Sequence, residues 1–280
     1  LRLSMEGKDP EMDYTPSIRE VTFDGDAPDL PTLCTLIEWM EVAAGTFTMG
    51  SPEEELGRYD VGTQHDVTLT RDIEVKTTEV TQGDWVAVFG YNPSYFGPNG
   101  EGDSCGDNCP VESINWWEAL EYCNALSDSE GLQQCYTLSG CTGSVGVDYV
   151  CTGVSFAGLD CTGYRLPTEA EWEYFTRAGS TTAFHTGDIT DIACDDPNMD
   201  LAGWYCGNDD DTSHPTATRA RNDWGIYDAH GNVYEWGWDW YGGDYGSDPV
   251  TDPMGPETGE YRTARGGSWS LDAWSARCAR

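Results

Sequence analysis

The sequence predicts an α+β fold with little regular secondary structure, in which long disulfide-stapled loops connect a few helices and many short strands. Three observations lead to this prediction. The 280-residue chain contains 33 glycines and 14 prolines, which favour turns and loops. Its 11 cysteines lie mostly in loop-like segments. Two segments have the apolar periodicity of helices, whereas apolar residues elsewhere form short strand-like runs.

The chain is predicted to consist of an N-terminal arm followed by one domain. Residues 1–35 are acidic and lack a periodic pattern, so we expect an arm or linker. Residues 36–280 are expected to form the domain. Glycine punctuation in residues 42–51 predicts a hairpin-like pair of strands, and further alternating segments predict strands at residues 66–70 and 73–75.

Residues 116–126 are predicted to form an amphipathic helix. Ser113 or Asn115 would cap its N-terminus. Its apolar side chains recur every three or four residues, which places them on one face of the helix. The residues that share this face are Trp116, Leu120, Cys123 and Leu126.

A second helix is predicted to follow Thr168. Thr168 is a suitable N-cap, and Glu171 three residues later completes a capping box. Gly179 is expected to end this helix, and only loops, short strands and turns are expected after it. A further helix is predicted to begin after Thr81, another suitable N-cap.

The composition narrows the possible partners. The formal net charge is −36, so the chain lacks the basic surface that nucleic-acid binding requires. No apolar run approaches 18 residues, so no transmembrane helix is expected. The 12 tryptophans and 15 tyrosines supply much of the area available for a core. The expected partner is an unidentified protein or small ligand.

The cysteines are predicted to form disulfides. Cys105 and Cys109 bracket a short turn, and Cys194 and Cys206 bracket an acidic loop. The zinc alternative needs C-x₂-C or paired Cys and His spacing, which the chain lacks. Disulfides imply an oxidising location, which is extracellular, periplasmic or at the cell surface. The pairing stays open, and the odd number leaves at least one thiol free or paired outside this chain.

Residues 222–236 combine aromatic residues, turn formers and two carboxylates. Asp228 and Glu235 flank Gly231-Asn232, a turn that favours positive φ. Such a turn can bring both side chains and nearby backbone carbonyls onto one point, which suits Ca²⁺ with its six to eight oxygen ligands. The alternative is a surface hairpin with solvated acids.

Six different short motifs follow one another along residues 42–280. They lie at residues 45–51, 79–81, 110–116, 164–174, 225–236 and 265–269, and the RLPTEAEWE and GNVYEW blocks are the most specific. Together they resemble the formylglycine-generating enzyme family, also called the sulfatase-modifying factor family. The resemblance implies a C-type-lectin-like fold. It also implies Ca²⁺ held by the side chains of Asp228 and Glu235 and the carbonyls of Gly231 and Val233.

The resemblance does not extend to the family's copper-binding cysteines. Oxidases of this family use two cysteines, a few residues after a Gly-Gly-Ser motif, to bind Cu(I). Alignment without gaps from this motif puts Leu271 and Ala276 at those positions, and neither side chain binds copper. Copper is therefore not expected, although Cys278 lies nearby. Ser268 matches the serine of the family's groove, where a backbone-capping role is more typical than catalysis.

The resemblance without the cysteine pair predicts a secreted or surface, non-catalytic, C-type-lectin-like ligand-binding or display module. Some relatives are the variable display proteins of diversity-generating retroelements, whose varied residues follow the same Gly-Gly-Ser-Trp turn. The corresponding candidate ligand-binding residues are Trp269, Ser270, Leu271, Asp272, Trp274, Ser275 and Ala276. The alternative is an oxygen-dependent oxidase that converts a sulfatase cysteine to formylglycine.

Similar domains continue for about another strand pair beyond the segment that corresponds to the end of this sequence. The expectation is therefore a domain truncated at its C-terminus. A missing segment of the protein, or a partner, would complete the C-terminal sheet, because an exposed sheet edge is prone to pairing.

Overall fold

The computed structural model describes residues 38–58, 62–242 and 246–280, so the predicted arm at residues 1–35 lies outside the described residues. The described residues form short helices and small sheets joined by long loops, and the predicted α+β class is confirmed. The α-helices are α1 (Gln82–Phe89), α2 (Trp116–Ser129), α3 (Glu169–Arg177) and α4 (Pro197–Ala202), and Ala273–Ala276 form a 3₁₀ turn. None of these described helices is long and apolar enough to cross a bilayer.

Capping boxes begin the first three helices. Thr81 caps α1 and Thr168 caps α3, as predicted, and Asn115 rather than Ser113 caps α2. α3 ends at Ala178, which is in the left-handed conformation, one residue before the predicted Gly179. The expectation of only loops, short strands and turns after residue 179 is wrong, because the short helix α4 lies in this region. Asp196 caps its N-terminus.

The strands are short and pair in five small sheets. Their bounds are β1 (Trp39–Val42), β2 (Gly45–Met49), β3 (His65–Leu69), β4 (Ile73–Lys76), β5 (Tyr136–Ser139), β6 (Thr142–Ser144), β7 (Val147–Val150), β8 (Gly153–Phe156), β9 (Glu235–Trp240), β10 (Val250–Thr251) and β11 (Arg262–Arg265). β1 pairs with β4, β9 with β11, β5 with β8, and β6 with β7, all antiparallel. β3 lies between antiparallel β2 and parallel β10.

The predicted hairpin at residues 42–51 is wrong. β1 and β2 are both strands, but they belong to different sheets: Val42 pairs with Ile73, whereas Gly45 pairs with Leu69. Each strand buries its apolar side in a different cluster: Val42 of β1 packs with Trp172 and Phe175 of α3, whereas Met49 of β2 packs with β3 and with Ala170 of α3. Long-range burial therefore decides the pairing, which local turn signals do not reveal.

The largest core cluster lies around α1 and α2. Trp85 of α1 stacks on Tyr122 of α2, with the ring centroids 5.1 Å apart and the planes 5° from parallel. Trp116, Leu120 and Cys123 are buried on the predicted face of α2, and Leu126 packs against the same cluster. Aromatic side chains thus supply the core that a chain rich in glycine and acidic residues needs.

Four disulfides staple the loops. They join Cys105 to Cys109, Cys135 to Cys161, Cys141 to Cys151, and Cys194 to Cys206. Cys123 and Cys278 are buried outside these four pairs, and Cys34 lies outside the described residues. The disulfides are consistent with an extracellular or periplasmic location.

Candidate functional site

The loop that leads into β9 reverses direction through left-handed backbone. Asp228, Gly231 and Asn232 have φ values of 53°, 73° and 56°. The predicted positive-φ turn at Gly231-Asn232 is therefore confirmed. Asp and Asn are the non-glycine residues that adopt this conformation most readily, so the composition of the loop suits its backbone.

The two carboxylates of this loop are buried. Asp228 and Glu235 both have 0% of their surface exposed, so the alternative of a surface hairpin with solvated acids is wrong. The main-chain N–H of Ala217 donates to Oδ2 of Asp228 over 2.6 Å, and the indole N–H of Trp172 donates to Oε2 of Glu235 over 2.9 Å. Both of these donors are uncharged, and burying an ionised carboxylate is costly unless charge or hydrogen bonds compensate it.

The chemistry of the loop fits a hard cation. The side chains of Asp228 and Glu235 and the carbonyls of Gly231 and Val233 would all offer oxygen, the donor that Ca²⁺ prefers. All four residues are buried. The part of the chain that the structure describes contains no group of three or more His, Cys, Asp or Glu side chains arranged to hold a metal. A cation in this loop would therefore depend on backbone carbonyls as well as on the two carboxylates.

The Gly-Gly-Ser segment at residues 266–268 packs against this loop. The N–H of Gly231 donates to the carbonyl of Gly266 over 2.7 Å. Gly266 has a φ of 93°, and a Cβ added there would lie 3.5 Å from the ring of Trp172 and 3.9 Å from Oε1 of Glu235. A side chain would meet only ordinary contacts there, so the positive φ is what favours glycine at this position.

Asn232 connects the loop to three other parts of the molecule, which sequence reasoning missed. Its side-chain amide donates to Oε2 of Glu79 over 3.3 Å and to the carbonyl of His214 over 3.1 Å. Its side-chain oxygen accepts from the N–H of His214, and its own carbonyl accepts from the N–H of Trp269. The available signal was the position of Glu79 and Asn232 within two of the shared motifs.

Two histidines that are distant in sequence meet beside this loop. His230 is fully buried, and its ring stacks on His185 with the centroids 5.1 Å apart. Nε2 of His230 accepts from the N–H of His185 over 3.2 Å, so its Nδ1 carries the proton and donates to the carbonyl of Ala276 over 2.7 Å. Burial lowers the pKa of His185, which favours the neutral ring. The pair therefore ties the loop to the C-terminal segment.

The candidate ligand-binding residues differ in their accessibility. Ser270 is exposed, while Trp269, Leu271, Asp272 and Trp274 are partly buried. Asp272 caps the 3₁₀ turn, since its Oδ1 accepts from the N–H of Ser275. The most deeply buried candidates, at 5% and 1% exposed, are Ser275 and Ala276. Direct contact with a ligand would therefore fall mainly on the first part of the segment.

The C-terminal segment lacks a pair of accessible thiols. Leu271 and Ala276, at the positions aligned with the family's two cysteines, have no thiol. Their carbonyls accept hydrogen bonds from the N–H of Cys206 and from the ring of His230, respectively. Cys278 is fully buried, and burial raises its pKa to about 12. It is the one cysteine of this segment, and one thiol cannot supply the two thiolates of a Cu(I) site.

Ser268 is buried beside Ser270. It is 3% exposed, and its Oγ lies 3.3 Å from Oγ of the neighbouring Ser270. His185 and His230 make their contacts elsewhere, with each other and with Ala276. A backbone-capping role for Ser268 stays a prediction.

Comparison with known proteins relates this geometry to a family. A family model described as a sulfatase-modifying factor enzyme 1-like domain matches residues 28–280. The chain is 32% identical over 223 residues to chaperone protein LppX of Paenibacillus barcinonensis, covering 72% of this chain and 71% of that protein. It is 31% identical over 199 residues to a formylglycine-generating enzyme of Thermomonospora curvata, covering 66% of this chain and 52% of that enzyme.

A solved structure has a similar fold over most of the chain. Variable protein 1 of Treponema denticola superimposes with a TM-score of 0.72 and 28% sequence identity. The match covers 86% of this chain and 87% of that protein. The two proteins therefore share one fold over most of their length.

Proposed function

The chain belongs to the sulfatase-modifying factor enzyme 1-like domain family, and we propose that it uses the family fold as a non-catalytic, C-type-lectin-like ligand-binding or display module. The proteins to which the chain is similar have different names, among them a chaperone protein and a formylglycine-generating enzyme. Function within a shared fold depends on the residues at the site. The proposal therefore rests on the C-terminal segment of this chain.

The observation that carries the proposal is the chemistry at residues 271 and 276. Leu271 and Ala276 occupy the positions at which the resemblance would require two copper-binding cysteines. Cys278 offers no substitute, because it is a single, fully buried thiol. A two-coordinate Cu(I) site needs two thiolates. We accordingly propose that no copper is bound here.

The ligand is proposed to contact the turn that follows Gly-Gly-Ser. Trp269 packs edge-on against Phe96, with the ring centroids 5.7 Å apart, and Ser270 is exposed beside it. An anchored aromatic side chain next to exposed polar groups is a common arrangement in binding surfaces. The fold similarity to variable protein 1 of Treponema denticola, at 28% sequence identity, supports the proposed display role.

We also propose that Ca²⁺ binds in the loop through Asp228, Gly231, Val233 and Glu235. The support is the burial of both carboxylates and the oxygen chemistry of the four groups. The ion would neutralise buried negative charge and hold the loop against Gly266 and Trp172. Its role would be structural, and it would stabilise the surface that presents residues 269–274.

One assay tests the non-catalytic proposal. The purified chain is incubated with Cu(I), oxygen and a Cys-x-Pro-x-Arg peptide, and aldehyde formation is measured by mass spectrometry. We expect no conversion above the peptide-only background. A formylglycine-generating enzyme assayed in parallel provides the positive control. Turnover of the peptide by the native chain would overturn the proposal and favour the oxidase alternative, which similarity to the Thermomonospora curvata enzyme supports.

A further inference from the structure

A groove of about 610 Å³ lies between β1 and the loop at residues 221–225. Its remaining lining residues are Met40, Glu41, Val42, Ala43 and Tyr174. None of these belongs to the proposed calcium ligands or to the turn after Gly-Gly-Ser. The volume falls in the range of small-molecule sites.

Aromatic side chains form one wall of this groove. Trp224 packs edge-on against Tyr174, with the ring centroids 4.9 Å apart and the planes at 71°. Tyr174 packs in turn against Phe47, and its hydroxyl donates to the carbonyl of Ala43 over 3.2 Å. The wall is thus held on both sides, as a preformed binding surface requires.

The side chain of Asn222 fixes the loop that carries Trp224. Asn222 is 3% exposed, and its amide donates to the carbonyls of Phe175 and Thr176 over 2.8 and 3.1 Å. Its side-chain oxygen accepts from the N–H groups of Trp224 and Ile226, both over 3.0 Å. The buried side chain of Asn222 therefore holds the backbone of residues 221–225. The exposed side chains of Arg221 and Asp223 are not needed to hold it.

Gly225 brings Met40 close to the floor of the groove. Its φ is 84°, a conformation that favours glycine. A Cβ added there would lie 2.9 Å from Cε of Met40 and 3.9 Å from a terminal nitrogen of Arg221. Glycine at this position thus leaves room for both side chains at the groove.

Arg221 differs from the other basic residues of the described chain. It is exposed and makes no hydrogen bond or ion pair with a described residue, even though Asp223 and Glu41 line the same groove. The remaining described lysine and arginine residues each have a polar or aromatic contact. In a chain with 50 acidic and 14 basic residues, an arginine without an acidic partner is available to a ligand.

We propose that this groove binds a small zwitterion of the α-amino acid class. The carboxylate would pair with Arg221, whose guanidinium suits bidentate recognition. The ammonium group would lie toward Asp223 and Glu41, and the ligand's apolar side chain would pack on Trp224 and Met40. Opposite charges on one preformed groove with an aromatic wall favour a ligand that also carries both charges. This site is independent of the proposed display function.

Calorimetric titration of the whole chain with a panel of the standard amino acids tests the proposal. The best apolar amino acid is then compared with its N-acetyl derivative, which lacks the ammonium group, and its amide, which lacks the carboxylate. We expect the affinity of each derivative to be lower by about tenfold or more, since each loses one charge-assisted contact.

Two variants assign the charges. Arg221→Gln should weaken the zwitterion by about tenfold while leaving the amide unchanged, and Asp223→Asn should weaken the zwitterion more than the N-acetyl derivative. Both residues are exposed, so the fold should persist, and circular dichroism checks this. Asp195→Asn, at another exposed acidic residue, is the matched control and should have no effect.

Three results would overturn the proposal. These are the absence of saturable binding by any amino acid at millimolar concentration, equal binding of both derivatives, and unchanged affinity in Arg221→Gln. None of these outcomes bears on the peptide-oxidation assay or on calcium binding, which use other residues.

Discussion

Two regions of the protein bury carboxylates and surround them with different partners. Near α3, Glu173 lies 2.8 Å from Arg177 and 2.8 Å from Arg265, and all three side chains are at most 5% exposed. In the loop before β9, Asp228 and Glu235 are equally buried and accept from a main-chain amide and an indole. Arginines pair with the carboxylate of the first region. The oxygens of the second region have the chemistry that Ca²⁺ prefers.

α3 contributes to both regions through adjacent residues. Trp172 donates its indole N–H to Glu235, and Glu173 accepts from Arg177, Arg265 and the N–H of Gly50. Stability of the first region should therefore be independent of metal, and stability of the second should depend on it. α3 itself should affect both.

The largest expected effect comes from Glu173→Ala. This change leaves Arg177 and Arg265 buried without their shared carboxylate, so it should lower the free energy of unfolding by about 3–5 kcal/mol. Denaturant unfolding in EDTA and in Ca²⁺ measures the change. The loss should be the same in both buffers.

Glu54→Ala is the control for this variant, because Glu54 is exposed. It should change stability by less than about 0.5 kcal/mol. If Glu173→Ala proved as mild as Glu54→Ala, the buried arginine network would not support the fold as described.

A smaller effect is expected from Thr168→Ala. Thr168 accepts from the N–H of Glu171 and begins the helix that serves both regions. Loss of this cap should cost about 1 kcal/mol. Thermal unfolding measures it, and Thr168→Ser should recover most of the loss because serine retains the hydroxyl. A serine variant as unstable as the alanine variant would show that the methyl group, rather than the cap, matters.

Local features of the fold were predictable from the sequence. Caps at Thr81 and Thr168 depend on side chains within three residues of the helix start, and both predictions are confirmed. The positive-φ turn at Gly231-Asn232 depends on the same short range. Such signals require no knowledge of the distant chain.

Long-range features were not predictable in the same way. The pairing of β1 with β4 instead of β2 depends on which cluster each strand buries. The ion pair between Glu173 and Arg265 joins residues 92 positions apart. The stacking of His185 on His230 also follows from the fold, since nothing near either residue in the sequence indicates the other.

The candidate site was predictable in part. The sequence and the family resemblance predicted which oxygen atoms of the loop would bind a cation. The structure was needed to show that Asp228 and Glu235 are buried, which rules out the alternative of a surface hairpin with solvated acids. The role of Asn232 as a connection to Glu79, His214 and Trp269 required the structure. Calcium at this loop stays a prediction.

The most direct measurement is thermal unfolding in Ca²⁺ and in EDTA for the native chain, for Asp228→Ala with Glu235→Ala, and for Glu173→Ala. With free Ca²⁺ a hundredfold above its Kd, the native chain should gain about 2.7 kcal/mol. Glu173→Ala should keep this gain on a less stable fold, and the double variant should lose it. An equal gain in the double variant, or no gain in the native chain, would contradict the calcium loop.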